Sequence, residues 1–164
     1  MRAGHRNEQD LVELIRHLTP YVWGNIRLPT SHTVAGNTEI DILFYYHGVM
    51  HLVETKRVIK IDGEYYQKKW RLFARSGDFV ALNIMTQSRL HAKVFCDRYY
   101  DKFREFPRVR SMVVVPDGTE MNESIRGEVL TFTEYYNWLC QLPVLDDSSY
   151  KYRYIAFMTW LNEL

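Results

Sequence analysis

Charged residues interrupt two consecutive segments that otherwise have the composition of buried β-strands. Asp41 occurs within NTEIDILFYY, and Glu54 and Lys56 occur two residues apart in VMHLVETK. Burying a carboxylate without a positive partner is costly, so such residues need a counter-charge. Carboxylate oxygens suit Mg²⁺ or Mn²⁺, and these ions activate water for attack on a phosphate. The pattern therefore indicates metal-dependent chemistry on phosphate groups.

The dipeptide His47-Gly48 separates the two segments and is typical of a two-residue β-hairpin turn. With that turn, the antiparallel register places Asp41 directly opposite Glu54. A three-residue loop with Gly48 in the left-handed conformation would shift the register by one and leave the two carboxylates diagonal to each other. In either register they are close enough to share a cation.

The two-residue turn also places Glu39 opposite Lys56, so that one face of the hairpin would carry four charges. Carboxylates that face each other across a strand pair repel, and a divalent cation between Asp41 and Glu54 would explain their presence. Lys56 would then orient or deprotonate the attacking water and neutralise charge on the phosphate.

The segments that must position these residues alternate between helical and strand patterns. Helices are predicted over residues 7–18 with Asn7 as N-cap, from Thr86, from Thr133, and from Tyr150 to Leu164. Besides the hairpin, strands are predicted at the apolar runs 21–29, 112–116 and 129–132. Residues 58–78, rich in turn residues and cations, are predicted to be a solvated segment. This order predicts an α/β or α+β sandwich with a mixed central sheet and helices on both sides.

Length and composition predict one domain over residues 1–164, with a hydrophobic share of 46% to build its core. No stretch approaches the ~20 apolar residues of a membrane span, and the start MRAGHRNEQD lacks the apolar core of a signal peptide. We therefore expect a cytoplasmic protein without membrane partners. Cys96 and Cys140 are too few for a disulfide framework and are predicted to be buried thiols.

A net charge of +1 does not by itself indicate nucleic-acid binding, but basic residues are locally clustered. The clusters that could coat one face for phosphate contacts are Arg2, His5 and Arg6; Lys56, Arg57 and Lys60; and Lys68, Lys69 and Arg71.

Aromatic residues are interleaved with the last of these basic clusters. Tyr65, Tyr66 and Trp70 could stack on the bases of a single strand, or they could form a flap that faces the core. The aromatic residues of the last predicted helix have the same ambiguity, because they could fill the core or form an exposed stripe in a homodimer.

The ordered set of motifs resembles the PD-(D/E)xK nucleases, and most of all the nuclease-related (NERD) domain. The segments that carry the resemblance are NTEIDIL, HGVMHLVETK, DGEYYQKKW, LNIMTQSRLH, MVVV and VLTFTEYYNWL. It implies a restriction-endonuclease-like fold, Asp41 and Glu54 as metal ligands, and Lys56 as the catalytic lysine. It also implies Thr55 as a ligand through its backbone carbonyl. Ile40 replaces the proline of the motif, which removes no catalytic group.

Two helices add candidates to this site. Helical phase turns Glu8 inward and Glu13 outward to solvent, and Glu8 is either a capping group or, as in many members of the family, an aid to the metal site. Gln87 and His91 are four residues apart on one helical face, which resembles the Gln-x-x-x-Tyr helix of some PD-(D/E)xK exonucleases. Gln87 would bind the water or the catalytic lysine, and His91 a phosphate; the alternative is an ordinary polar helix start.

Together these features predict a Mg²⁺- or Mn²⁺-dependent nuclease that acts on nucleic acid, with DNA favoured over RNA. Arg57, Lys68 and Lys69 are the predicted contacts to the substrate backbone. The alternative is a nucleic-acid-binding module that has a nuclease-like fold and does not cleave.

Overall fold

The computed structural model describes residues 3–145 and 148–163, with the side chains of residues 3–7 and 148 outside the description. The helices are α1 (Ala3–Arg16), α2 (Ile84–Phe103), α3 (Phe132–Cys140) and α4 (Ser148–Asn162). The strands are β1 (Val22–Pro29), β2 (Asn37–Tyr46), β3 (Val49–Thr55), β4 (Lys60–Asp62), β5 (Lys69–Ala74), β6 (Gly77–Leu82), β7 (Val109–Val115), β8 (Glu120–Met121) and β9 (Val129–Thr131). A short 3₁₀ helix, Glu123–Ile125, lies between β8 and β9.

A mixed five-stranded sheet in the order β1-β2-β3-β7-β9 forms the centre of the fold. Its first three strands are antiparallel, whereas β3, β7 and β9 run parallel to one another. Apolar side chains of α2 and α4 pack on one face, and those of α1 and α3 pack on the other. These features confirm the predicted α/β class with a mixed sheet between helices, which is compatible with a restriction-endonuclease-like fold.

All four predicted helices are present, although their first residues differ from the prediction. The prediction that Asn7 is an N-cap is wrong, because α1 begins at Ala3 and continues through that residue. The α2 helix begins at Ile84 because Asn83 caps it, its side chain accepting a hydrogen bond from the amide of Met85. Arg2, and the side chains of His5 and Arg6 in the first basic cluster, lie outside the described residues.

The prediction of a solvated segment over residues 58–78 is wrong, because most of this segment forms a second sheet. Four strands pair in the order β6-β5-β4-β8. In β5 the buried side chains of Trp70 and Leu72 alternate with exposed cations and join a core cluster with Ile84 of α2. The alternation KWRL therefore marks a half-buried strand.

The tip of the β2–β3 hairpin is the two-residue turn that the sequence predicts. Both His47 (φ 49°) and Gly48 (φ 85°) adopt the left-handed conformation, as a type I′ turn requires. Regular pairing runs from Tyr46 opposite Val49 to Ile42 opposite Val53. The predicted register is confirmed, and the register of the three-residue loop is excluded.

The C-terminal aromatic residues are mainly part of the core. Tyr154 and Phe157 of α4 are fully buried against α2 and the central sheet, whereas Tyr152 is exposed. The prediction of two buried thiols holds only in part, since Cys96 is half-buried and Cys140 is exposed. None of the helices within the described ranges is long and apolar enough to cross a membrane.

The central strand β3 buries a histidine, His51, with 1% of its surface exposed. The ring stacks on Phe44 with centroids 4.8 Å apart, and burial lowers the pKa of His51 from 6.5 to about 3. Because the unfolded chain binds this proton more readily, the effect destabilises the folded state progressively as the pH falls from about 6.5 towards 3.

The variant His51→Phe should therefore lose less stability on acidification than the wild type. The expected difference at pH 5 is about 2 kcal/mol in the free energy of unfolding. Urea unfolding at pH 7.5 and pH 5 measures it, with His32→Phe in the exposed loop before β2 as the control. An equal loss of stability in His51→Phe and wild type would show that His51 does not carry this pH dependence.

Candidate active site

Asp41 lies where the regular pairing of β2 is interrupted. Its neighbour on β1 is Asn25, which has a φ of 51°, and this pair is missing from an otherwise continuous ladder. On the other side, the Thr55 amide donates a 3.0 Å hydrogen bond to Oδ2 of Asp41. The carboxylate is thus held against the last residue of β3, next to Glu54.

Glu54 is the most deeply buried acidic side chain of the site, with 5% of its surface exposed. The Nζ of Lys56 lies 3.3 Å from its Oε1, and Nδ1 of His91 on α2 lies 3.3 Å from its Oε2. The histidine contact lacks hydrogen-bond geometry, so that Oε2 is buried without a donor among the residues that the structure describes. A buried carboxylate oxygen without a donor is uncommon and needs an explanation.

The regular pairs of the β2–β3 hairpin end directly before Asp41 and Glu54. Their neighbours Leu43 and Leu52 are paired and both point into the core beneath α2. Asp41 and Glu54 are two residues further along each strand, at the first position beyond the regular pairs, and because Ile40 shares a core cluster with Leu43, the side-chain alternation of β2 is broken around Asp41.

The pKa of Asp41 reflects its proximity to Glu54. Burial and, next in size, the negative charge of Glu54 raise the pKa of Asp41 from 3.8 to about 7. The charge of Glu8 raises it further, whereas the Thr55 amide and the charge of Lys56 lower it. Near neutral pH a cation close to Asp41 would therefore stabilise the ionised form of its carboxylate.

The residues present fit a small divalent cation. The available donors are hard carboxylate oxygens, one of them without a hydrogen bond, which suits Mg²⁺ or Mn²⁺. Among the described side chains, those of residues 8–145 and 149–163, no three His, Cys, Asp or Glu form a group that could hold a metal. Magnesium sites often use only one or two carboxylates and complete their shell with water and substrate oxygens. Asp41, Glu54 and the predicted carbonyl of Thr55 match that type of site.

Beside Asp41 a cleft of about 360 Å³ opens between α1 and the first strands. Glu8 lines this cleft together with Asp41, which agrees with the prediction that it turns inward. Glu13 is exposed, as predicted, and lines the same cleft. Because α1 begins at Ala3, Glu8 lies in the second turn of the helix and not at its N-terminus, which argues against a capping role.

The other predicted residues of α2 also lie near the hairpin. His91 contacts Glu54 directly, so the structure brings it into the carboxylate cluster. Gln87 lies one helical turn before it and is half-buried, and its side chain forms no hydrogen bond with another residue in the described part of the chain. Its amide group is therefore available to a water or a substrate.

The predicted phosphate contacts lie outside the carboxylate cluster. Arg57, two residues after the Glu54–Thr55 pair, is exposed, and so are Lys68 and Lys69 at the beginning of β5. The carboxylates thus belong to the hairpin, and the exposed cations follow the hairpin in the chain.

One predicted position of the cluster is wrong. Glu39 does not face Lys56, because β3 ends at Thr55 and the β2 segment before Ile40 pairs with β1. Glu39 lies opposite Arg27, with 3.6 Å between its Oε2 and Nε of the arginine. Asn83, whose side chain links the start of α2 to the turn before β5, was not predicted to have a role. The only sequence signal for that role is the Asn-Ile pair at the start of the helix.

Comparison with protein-family models found the nuclease-related domain over residues 3–116, which cover well over half of the chain. Comparisons with curated proteins and with solved structures found no significant match. The matched residues contain the whole hairpin, the α1 acid and the α2 residues described above. The chain therefore belongs to the nuclease-related domain family.

Proposed function

We propose that this protein is a Mg²⁺- or Mn²⁺-dependent nuclease that hydrolyses phosphodiester bonds of DNA. One observation carries the proposal: the half-buried Asp41 lies next to the buried Glu54, and desolvation and the negative charge of Glu54 raise the pKa of Asp41 to about 7. A protein gains nothing in stability from such a pair, since each buried carboxylate costs free energy unless a cation compensates it.

Different residues would bind the cation and assist the attack of water in such a reaction. Asp41, Glu54 and the carbonyl of Thr55 would hold the cation, with Glu8 as an additional acid at the edge of the cleft. When bound, a divalent cation supplies Lewis acidity at the phosphate and makes water a better nucleophile. The protein must then place that water and stabilise the charge that develops on the phosphate.

Lys56 is the residue best placed for that task. Its ammonium group lies 3.3 Å from Glu54, at the mouth of the buried pair, and its side chain is partly exposed. There it can orient the attacking water, accept or relay its proton, and offset negative charge on the phosphate.

Gln87 would hydrogen-bond the water or Lys56 through its unpaired amide. His91 would hold Glu54 on one side and could meet a phosphate on the other. Arg57, Lys68 and Lys69 would contact backbone phosphates of the substrate, which positions the substrate without reading its sequence.

A binding module without catalysis is disfavoured by the same buried pair. Nucleic-acid binding needs exposed cations, and Arg57, Lys68 and Lys69 supply them without any contribution from buried carboxylates. Glu54 and Asp41 would only repel phosphate if no cation joined them.

Cleavage assays with purified protein test the proposal. Supercoiled plasmid, linear duplex, single-stranded DNA and RNA are each incubated with the protein and Mn²⁺ or Mg²⁺, and with EDTA as the matched control. We expect DNA products with the divalent cations and none with EDTA. If no form of DNA or RNA is cut in the presence of Mn²⁺, the protein is not a nuclease.

A further inference from the structure

Two tyrosines stand in solvent on a tight turn between β4 and β5. Tyr65 and Tyr66 are the central residues of the turn Glu64–Gln67, and 58% and 72% of their surfaces are exposed. We call this segment the tyrosine turn. Trp70, three residues after the turn, is 1% exposed and belongs to the core. The aromatic cluster predicted from the sequence is therefore divided into one core residue and two surface residues.

The tyrosine turn is closed by its own hydrogen bonds. The Gln67 amide donates to the Glu64 carbonyl at 3.0 Å, and the Glu64 amide donates to Oε1 of Gln67 at 2.9 Å. The indole of Trp70 donates to the same Glu64 carbonyl at 2.9 Å. A Cβ on Gly63 would lie only 2.2 Å from the Trp70 ring, so the backbone before the turn rests directly on the indole.

Distant residues hold the same turn from two sides. Asn122 Nδ2 and the Ser124 hydroxyl donate to the two carboxylate oxygens of Glu64, which lowers the pKa of that carboxyl. Asn83 Nδ2 donates to the carbonyls of Tyr65 and Gln67, at 3.1 and 2.8 Å. The two exposed rings are therefore presented by a braced backbone and not by a loose loop.

The exposed rings are arranged for a flat ligand. The two ring planes are at 85° to each other with centroids 5.7 Å apart, which is an edge-to-face arrangement. Lys68 and Lys69 follow immediately, are exposed, and form no ion pair with the residues that the structure describes. Aromatic faces beside unpaired cations are the combination that binds single-stranded nucleic acid, through base stacking and phosphate contacts.

The hydrogen bonds of Asn83 also connect the tyrosine turn to the carboxylate cluster. Asn83 both holds the turn and caps α2, and His91 on the same helix contacts Glu54. These two residues are eight positions apart, which is about 12 Å along a helix axis. That length corresponds to roughly three or four stacked bases at 3.4 Å each.

We propose that the tyrosine turn is a stacking platform for unpaired bases of single-stranded DNA, a few nucleotides from the scissile phosphate. The inference rests on the proposed nuclease function and adds its substrate class, a single strand or an unpaired end. Bases inside a duplex are already stacked on their neighbours and have no free face for the tyrosines.

Binding without catalysis tests this platform. The double variant Tyr65→Ala/Tyr66→Ala is compared with wild type by fluorescence anisotropy in EDTA, with a labelled 20-nucleotide DNA strand and its duplex as the two probes. Loss of two stacking contacts should weaken single-strand binding by about 30-fold or more and leave duplex binding unchanged. The pair Tyr65→Phe/Tyr66→Phe keeps the rings and should bind the strand like wild type.

The control is Tyr152→Ala, an equally exposed tyrosine on α4, which should bind both probes like wild type. The platform is refuted if the alanine pair binds the strand as tightly as wild type, or if both probes weaken equally. Wild type that binds the strand in this way and never cuts DNA would refute the nuclease function and leave the platform intact. If wild type cuts DNA but the alanine pair binds the strand as tightly as wild type does, the platform is refuted and the nuclease function stands.

Discussion

Replacement of Lys56 by alanine is expected to lower the rate of DNA cleavage by roughly a thousandfold. Among the residues described, Lys56 is the lysine that contacts the Glu54 carboxylate, with 3.3 Å between its Nζ and Oε1. Its removal takes away the group that orients the attacking water and offsets charge on the phosphate, and such groups contribute about 10²- to 10⁴-fold. Single-turnover cleavage rates with Mn²⁺ measure the effect.

The same variant should bind DNA with nearly unchanged affinity, because Arg57, Lys68 and Lys69 remain to contact phosphates. Lys102→Ala, at the far end of α2 from the site, is the matched control and should cleave at the wild-type rate. Cleavage by Lys56→Ala within a few-fold of wild type would rule out Lys56 as a catalytic residue.

The variant Asp41→Asn should abolish cleavage and, in the absence of metal, stabilise the fold. Loss of cleavage follows because an amide is a poorer ligand for a divalent cation than a carboxylate. The gain in stability follows because the wild-type carboxylate has a folded-state pKa of about 7 against 3.8 in the unfolded chain. The amide can still accept the hydrogen bond from Thr55.

The direction of the pH effect follows from these two pKa values. The folded protein holds the Asp41 proton more tightly than the unfolded chain, so its contribution to stability is complete below about pH 4. That contribution is lost as the pH rises through about 7, and from there on the ionised pair costs about 2 to 4 kcal/mol. Asp41→Asn should therefore match wild type at pH 4 and exceed its stability at pH 8.

Urea unfolding in EDTA at the two pH values measures this difference, and Asp62→Asn on the exposed surface of β4 serves as the control. The addition of Mn²⁺ at pH 8 should raise the stability of wild type and leave Asp41→Asn unchanged, because a ligand of the folded state stabilises only the protein that binds it. An Asp41→Asn protein less stable than wild type at pH 8 without metal would contradict the account of a strained carboxylate pair.

Much of the central sheet could be predicted from the sequence because its signals are local. His47-Gly48 selects one turn type, and that turn alone determines which residues of β2 and β3 face each other. The adjacency of Asp41 and Glu54 follows from this register. Glu39 was misplaced because a register cannot show where a strand ends, and β3 ends before it could pair with that part of β2.

The second sheet and the tyrosine turn were harder to predict because distant residues stabilise them. The strand β5 is short and a third of its residues are charged, so its pattern resembles a solvated segment until Trp70 and Leu72 are seen to pack on α2 and β7. The conformation of the tyrosine turn depends on contacts between Glu64 and Asn122, 58 residues apart. Contacts of that range have no signature in local composition or periodicity.

We propose that Asp41 and Glu54 tolerate each other because they share one divalent cation. Anomalous diffraction from a crystal soaked in Mn²⁺ tests it most directly. We expect a single strong peak within about 2.0 to 2.3 Å of an oxygen of each carboxylate. A soaked crystal with no peak between them, or with Lys56 bridging both carboxylates in its place, would contradict it.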